Sequence, residues 1–251
     1  MLRRPEYPML VIDAGNTSVK FALVTRPGGT PKPVLSVPTA KLAATAVKRI
    51  GAKARSVGIS SVVPAASRIL QKAFPQARFI GPKTALSFKS LVDRKITGSD
   101  RLANVAAAQG RCKKNVLVVS FGTATTFDVV DTGGVHRGGA IAPGWQAFAS
   151  LPSSKTALLP RVPAKAAKSF IGKNTREALA AGTAGGYAAV VLQIIDGMKR
   201  EAGVKKLRVI TTGGDAASVA KIVKIKSVTD PLLTLRGIAL LCAADAREVR
   251  K

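Results

Sequence analysis

Met9-Leu-Val-Ile-Asp13-Ala14-Gly15-Asn16-Thr17-Ser18-Val19-Lys20-Phe-Ala-Leu-Val24 is the stretch whose reading decides the fold. An apolar run ends in a carboxylate, a Gly-Asn turn follows, and apolar and β-branched residues resume. That pattern predicts strand, tight turn, strand. A second stretch repeats the grammar: Asn115 to Ser120 runs apolar, Phe121-Gly122-Thr123-Ala-Thr-Thr turns, and Phe127 to Val130 returns. Asp13 aligns with Ser120, Gly15 with Gly122 and Asn16 with Thr123, a sparse internal repeat with one copy per half. Two halves of like build with a cleft between them are therefore expected.

The segments between and after the copies alternate helix and strand patterns. Lys41 to Ile50 and Ala65 to Ala73 read as helices around a short strand, Val57 to Val63. Ser99 is placed to cap an Ala-rich helix from Leu102 to Gln109. Gly138 to Gly144 reads as a Gly/Pro loop, and Pro27 to Lys32 as a hairpin loop. Thr175 to Met198 reads as a helical region interrupted at Gly182 to Gly186. Leu207 to Thr211 reads as a strand, and Ser218 to Val223 and Leu233 to Glu248 as helices. The class is mixed α/β, with domains expected over residues 1–112 and 113–251.

Composition narrows the function classes. Hydrophobic residues make up 47% of 251, which excludes disorder, while aromatics at 4% leave the core to Ala, Val, Leu and Ile. Forty Lys and Arg against thirteen Asp and Glu give a net charge of +27, which attracts polyanions. The cations are scattered from Arg3 to Lys251, with Lys113-Lys114 and Lys205-Lys206 as isolated pairs. A solvated basic surface fits that scatter better than a dedicated nucleic-acid arm. Cys112 and Cys242 have no metal-ligand or redox spacing. Neither a signal peptide nor an apolar run near membrane length is evident, so a cytoplasmic protein without membrane contact is expected.

The residues able to do chemistry cluster at the turns. Asp13 ends an apolar strand, where a carboxylate costs desolvation unless it has a partner; a magnesium–nucleotide pair is one, although Asp is also a common turn residue. Gly15 and Gly122 let the backbone approach phosphate oxygens closely. Asp100, near a helix start, is held ionised and can accept a hydroxyl proton, and Arg101 can clamp an anion. Without context, a helix-starting acid and a surface arginine are the simpler reading. No Gly-x-x-x-x-Gly-Lys-Ser/Thr is present, because Gly172-Lys173-Asn174-Thr175 has Ala167 where the upstream Gly belongs. His136, the one histidine, lies in a Gly-rich polar turn and reads as solvated.

Together these pieces resemble the type III pantothenate kinases. Asp13 to Lys20 resembles that family's first phosphate motif, Ile59-Ser-Ser-Val-Val-Pro64 its short strand motif, Gly98-Ser99-Asp100-Arg101 its Gly-x-Asp-Arg motif, and Phe121 to Asp128 its second phosphate motif. Gly138 to Gly144, Leu159-Pro-Arg161, Ile171 to Thr175 and Thr212-Gly-Gly214 follow in family order. The resemblance implies two ribonuclease-H-like domains of the actin-like ATPase fold, paired as a homodimer. It implies ATP-dependent phosphorylation of pantothenate, the first step toward coenzyme A.

By position, Asp13, Ala14, Gly15, Asn16, Thr17, Ser18, Val19 and Lys20 would wrap the ATP phosphates, with Thr123 touching them. Asp100 would be the proton acceptor. Gly98, Ser99, Asp100, Arg101 and Thr175 would hold pantothenate, and Thr212 to Gly214 would lie near the adenosine. Mg²⁺ and a monovalent cation, K⁺ or NH₄⁺, would be the cofactors. Two positions depart: the family has Asp where this chain has Ser120, and an aromatic residue where it has Leu91, with Phe88 nearby. The departures leave two other readings, a non-catalytic regulator or nucleic-acid binder and a kinase of another small hydroxyl compound.

Overall fold

The computed structural model describes residues 5–51, 53–155, 159–160 and 169–244. The chain forms two units: the stretch up to Lys113 together with the segment from Leu232 onward, and the stretch Lys114–Pro231.

In the first unit, β1 (Met9–Ala14), β2 (Ser18–Val24) and β3 (Lys32–Pro38) form an antiparallel meander. Helix α1 (Ala44–Gly51) leads to β4 (Ser56–Ser61), and α2 (Pro64–Ala73) leads to β5 (Arg78–Phe79); these two strands join in parallel on the other side of β1. The spatial order is β3-β2-β1-β4-β5, and α3 (Ser99–Arg111) follows. Alternation along β1 sorts the packing, because successive side chains point to opposite faces. Leu10, Ile12 and Ala14 enter one core with Val47 of α1 and Ala66 and Leu70 of α2. Met9 and Val11 enter another with Ala103 and Ala106 of α3. Asp13 is next in that second series, so it belongs to the face that α3 covers.

The second unit repeats the plan. It comprises β6 (Val116–Phe121), β7 (Ala124–Val130), β8 (His136–Pro143), α4 (Trp145–Lys155), α5 (Thr175–Ala180), α6 (Gly186–Glu201), β9 (Arg208–Thr212), α7 (Ala216–Val223) and β10 (Val228–Thr229). The order β10-β9-β6-β7-β8 carries the same parallel and antiparallel pairings as the first sheet. Ser120 sits opposite Thr126 and Thr212, as Asp13 sits opposite Lys20 and Ser60. The internal repeat seen in the sequence is thus matched strand for strand. Leu117, Val119 and Phe121 pack on Tyr187 and Val191 of α6 and Val219 of α7.

Several expectations need correction. The C-terminal helix α8 (Leu233–Ala244) was assigned to the second half, but it packs along α3 and against β1 and β4 of the first unit. Leu235, Ile238, Leu241 and Cys242 complete the core that Met9 and Val11 begin, because the α3 face of that sheet needs a second apolar cover. The part of this helix expected beyond residue 244 lies outside the described residues. Gly138 to Pro143 is not a loop: it lies within β8, an edge strand paired along its length with β7. Edge position is what lets a Gly- and Pro-bearing segment serve as a strand. Helix α3 takes Gly98, not Ser99, as its N-cap residue.

The expected interruption near Gly182 is a π-helical turn, Ala181–Gly185, through which α5 runs into α6. The joined stretch Thr175–Glu201 is long and apolar enough to cross a membrane by length and composition, contrary to the sequence reading. Its Ala184, Tyr187 and Val191 are buried in the core of the second unit, the usual position of a core helix.

The α3–α8 contact is close enough to test. A Cβ on Gly237 would lie 1.8 Å from the Ala103 carbonyl oxygen, so the two backbones meet where neither helix has bulk. Gly237→Ala gains about 1 kcal/mol of helix propensity, but an immovable backbone contact costs about 1–3 kcal/mol. The variant is expected to unfold at lower denaturant than the wild type; an equal or higher urea midpoint would contradict this packing.

Candidate active site

Asp13 stands half-buried at the carboxyl end of β1, with Lys20 opposite it on β2 and Ser60 on β4. All three share one face by alternation. The first residue of α3 is tied to that place: Ser60 and Ser99 hydroxyls hydrogen-bond at 2.8 Å, and both residues are buried. Asp100 follows. Burial pushes the Asp13 carboxyl from 3.8 up to about 7, the negative charge of Asp100 pushes the same way, and Lys20 opposes both. Two carboxylates and one ammonium are therefore gathered by a strand end and a helix start.

Gly98 makes room for this arrangement. A Cβ there would lie 2.5 Å from Asp100 Oδ1, so the carboxylate folds back over the glycine. The same Oδ1 accepts from the Arg101 backbone N–H at 2.9 Å. The spacing Gly-x-Asp-Arg thus has a local physical cause. Arg101 is half-buried beside it.

The turn after β1 is held from behind. Gly15 N–H donates to Ser18 O at 3.1 Å, Thr39 Oγ1 donates to Gly15 O at 2.7 Å, and Thr39 N–H donates to Thr17 O at 3.0 Å. Asn16 and Thr17 are exposed at its tip, and Ser18 is half-buried. Ala14 and Val19 point the other way, into the core with Leu10 and Ile12. Of the stretch 13–20, these two can offer a ligand only their backbone.

In the second unit, Thr123 is exposed at the tip of the shorter β6–β7 turn, which Gly122 N–H closes onto Ala124 O at 3.1 Å. Ser120 is half-buried just before it. The Thr212–Asp215 loop comes to the same strand end, where Asp215 N–H donates to Phe121 O at 3.0 Å. Sequence reasoning missed the polar pair beneath: Thr125 Oγ1 and the Tyr187 hydroxyl lie 2.6 Å apart, buried, with Trp145 edge-on to the tyrosine at 5.3 Å. Burial raises the Tyr187 pKa, the Thr125 bond opposes this, and the Asp215 charge adds to the rise. A lone tyrosine in an Ala-rich helix was the one available signal.

Thr175 is the exposed first residue of α5 and lines a pocket of about 700 Å³ with Phe148, Leu151, Leu159, Lys173 and Asn174. Asn174 caps the helix by accepting from Glu177 N–H at 2.9 Å, and Glu177 accepts from Lys173 N–H at 2.8 Å. Arg161, part of a motif read from the sequence, lies outside the described residues. A larger cavity than the Thr175 pocket, about 1350 Å³, opens beside Arg55, Ser56 and Val57 at the leading end of β4. Ser56 pairs with Met9, so that cavity is at the opposite end of the sheet from Asp13. Ligands of open α/β sheets bind at the carboxyl ends of strands, which favours the Asp13 end.

His136 is not a solvated turn residue. It is fully buried at the start of β8, and its Nε2 lies 3.0 Å from Asp128 Oδ1 on β7. The neighbouring strand hides a side chain that composition alone marks as exposed.

Known proteins match this arrangement. The family model described as type III pantothenate kinase matches residues 9–197. A type III pantothenate kinase of Methylacidiphilum infernorum is 34% identical over 248 residues, covering 97% of this chain and 91% of that protein. The chain belongs to the type III pantothenate kinase family. Among solved structures, a protein described as a Baf family transcriptional activator from Campylobacter jejuni superposes with a TM-score of 0.62 at 19% identity, covering 92% of this chain and 96% of that one. A ROK family glucokinase from Streptomyces griseus gives 0.54 at 12% identity, covering 96% and 99%. At those identities they show the fold alone, the two-domain actin-like ATPase fold.

For a type III pantothenate kinase, the aromatic neighbour of the Gly-x-Asp-Arg motif is of interest. Leu91 is 54% exposed, whereas Phe88 is packed against the core of the first unit. Phe88 is thus committed to packing rather than shifted into the place of Leu91.

The raised Asp13 pKa sets a sign for stability. Between about 4 and 7 the folded chain keeps a proton that the unfolded chain releases, so unfolding releases a proton and stability falls as pH rises. With divalent cations chelated and no nucleotide, Asp13→Asn is expected to gain urea stability relative to the wild type from pH 4 to pH 8. A constant difference across that range would show that Asp13 is not so perturbed.

Proposed function

We propose that this chain transfers the γ-phosphoryl group of ATP to the primary hydroxyl of pantothenate, giving 4′-phosphopantothenate for coenzyme A synthesis. The observation that carries the reading is the pairing of Asp13 and Asp100 on one face of the first sheet, in a chain of this family.

Phosphoryl transfer asks the protein mainly for positioning and charge stabilisation. Asp100 takes the proton of the attacking hydroxyl, and Gly98, Ser99 and Arg101 hold the acceptor, with Thr175 as a further contact. Arg101 supplies a planar fork suited to a carboxylate. Lys20, the Asn16 amide, and the Thr17, Ser18 and Thr123 hydroxyls suit phosphate oxygens.

Among the described residues there is no cluster of three or more His, Cys, Asp or Glu able to cage a metal. The Asp13 and Asp100 carboxylates suit Mg²⁺, which takes one or two carboxylates and completes its shell with phosphate and water. Asp13 would hold it, directly or through water, and the ion would neutralise phosphate charge. A cation there also removes the cost of keeping Asp13 ionised beside Asp100. Ser120 stands where the resemblance expects a carboxylate for K⁺ or NH₄⁺; a neutral hydroxyl binds such an ion more weakly. A homodimer in the cytoplasm belongs to the same reading, and exposed Val190 and Leu192 on α6 give a second copy something to cover.

Asp100→Asn keeps shape and removes the base. ATP affinity should stay within about twofold while pantothenate-dependent ADP release falls roughly 10²-fold or more; undiminished turnover would remove Asp100 from this role. If no pantothenate-dependent turnover appears in the wild type, a panel of other small hydroxyl compounds tests the neighbouring reading. Ser120→Asp should steepen the activation of turnover by K⁺, and a response identical to wild type would contradict the cation assignment.

A further inference from the structure

Strands β6, β9 and β10 are parallel neighbours in the order β10-β9-β6. Parallel neighbours start at the same end of a sheet, about 4.8 Å apart. The segments that lead into them must therefore converge. Lys114 precedes β6, Lys205 and Lys206 precede β9, Arg208 begins β9, and Lys224 and Lys226 precede β10. All six are exposed. Backbone bonds hold the segments in place: Arg208 N–H donates to Asn115 O at 2.9 Å, and Val204 N–H donates to Lys199 O at 3.0 Å.

The apolar residues of these segments face inward. Val204 is 3% exposed, and Leu207 and Ile225 pack on the core of the second unit. What remains outside is mainly cationic, with Lys199, Arg200 and Lys221 in the last turns of the adjoining helices; Val228, at the start of β10, is the exposed apolar exception. The acids near this end are few. Asp131 accepts from Gly133 and Val135 and lies 3.8 Å from Arg137, Asp196 pairs with Arg200, and Glu201 is exposed.

This pole is remote from the chemistry of its own unit. Ser120, Thr123 and Thr212 lie at the other ends of the same strands, roughly 15 Å away for five residues of strand. A charge excess held there does nothing for a bound triphosphate that local residues do not do better.

We propose that this basic pole of the second unit binds the phosphate backbone of nucleic acid, independently of base sequence. Charge complementarity selects a polyanion. Among the described residues, Val228 is the one large exposed apolar side chain beside these cations, too little apolar surface for insertion into a bilayer. The lack of aromatics at the pole disfavours stacking on single-stranded bases, so a duplex backbone is the preferred form.

The test uses the full chain and a short labelled DNA duplex of mixed sequence, followed by fluorescence anisotropy. Affinity should fall by about 10³-fold or more between about 50 and 200 mM KCl, as six or more phosphate contacts require. Lys205→Glu with Lys206→Glu, Lys224→Glu and Lys226→Glu should weaken binding at least tenfold and flatten the salt slope, leaving pantothenate-dependent turnover unchanged. A comparison variant reverses Lys32, Lys53, Lys72 and Lys83, four exposed lysines of the first unit. Equal weakening by both variants would mean that net charge alone binds DNA, and would overturn the proposal. So would tighter binding to phosphatidylserine vesicles than to the duplex, lost in the same pole variant.

Discussion

A carboxylate at the end of a buried strand is the constraint on which the first unit turns. Alternation along β1 sends Leu10, Ile12 and Ala14 to one layer of helices and Met9, Val11 and Asp13 to the other. The apolar members of the second series demand α3 and α8 as cover, and that cover brings Asp100 toward Asp13. Burial that stabilises the sheet thus creates the electrostatic problem at its end, a carboxyl pushed up to about 7 with one lysine opposing. In the proposed kinase reading, a divalent cation with a triphosphate would resolve it.

The second unit shows what changes when the same plan carries different residues. Its sheet repeats the first strand for strand, yet a hydroxyl replaces the carboxylate at the end of the central strand, and the following turn is one residue shorter. Ser120 has hydroxyl neighbours, Thr126 and Thr212, where Asp13 has Lys20 and Ser60. No comparable charge conflict arises there. The acid of this face lies two pairs further along β7, where Asp128 is committed to His136 inside the fold. At this strand end the first unit concentrates charge, whereas the second presents hydroxyls and backbone.

Packing also accounts for features that look like departures from simple rules. α8 belongs by sequence to the second half and by contact to the first, because an Ala-rich α3 and Gly237 let two helix backbones meet. The long stretch Thr175–Glu201 has membrane-like composition because one side of it fills the core of the second unit, and its π turn sits next to the pocket that Thr175 lines.

Apart from Asp100, which stood out only through the family resemblance of Gly98 to Arg101, local patterns were enough to read the two strand–turn–strand stretches, the mixed α/β class, the helix after Gly98 and the candidate residue Asp13. Each rests on periodicity or turn chemistry carried within a dozen neighbouring residues. What the sequence by itself could not determine depended on pairing between distant segments. The burial of His136 required β7 beside it, the membership of α8 required a partner helix, and the strand at Gly138–Pro143 required an edge to join. The cations at 114, 205, 206, 208, 224 and 226 look scattered along the chain, and only the parallel order β10-β9-β6 gathers them at one pole. Side-chain type is written locally, but the field a group of charges makes depends on the distances between them, and those distances exist only after folding.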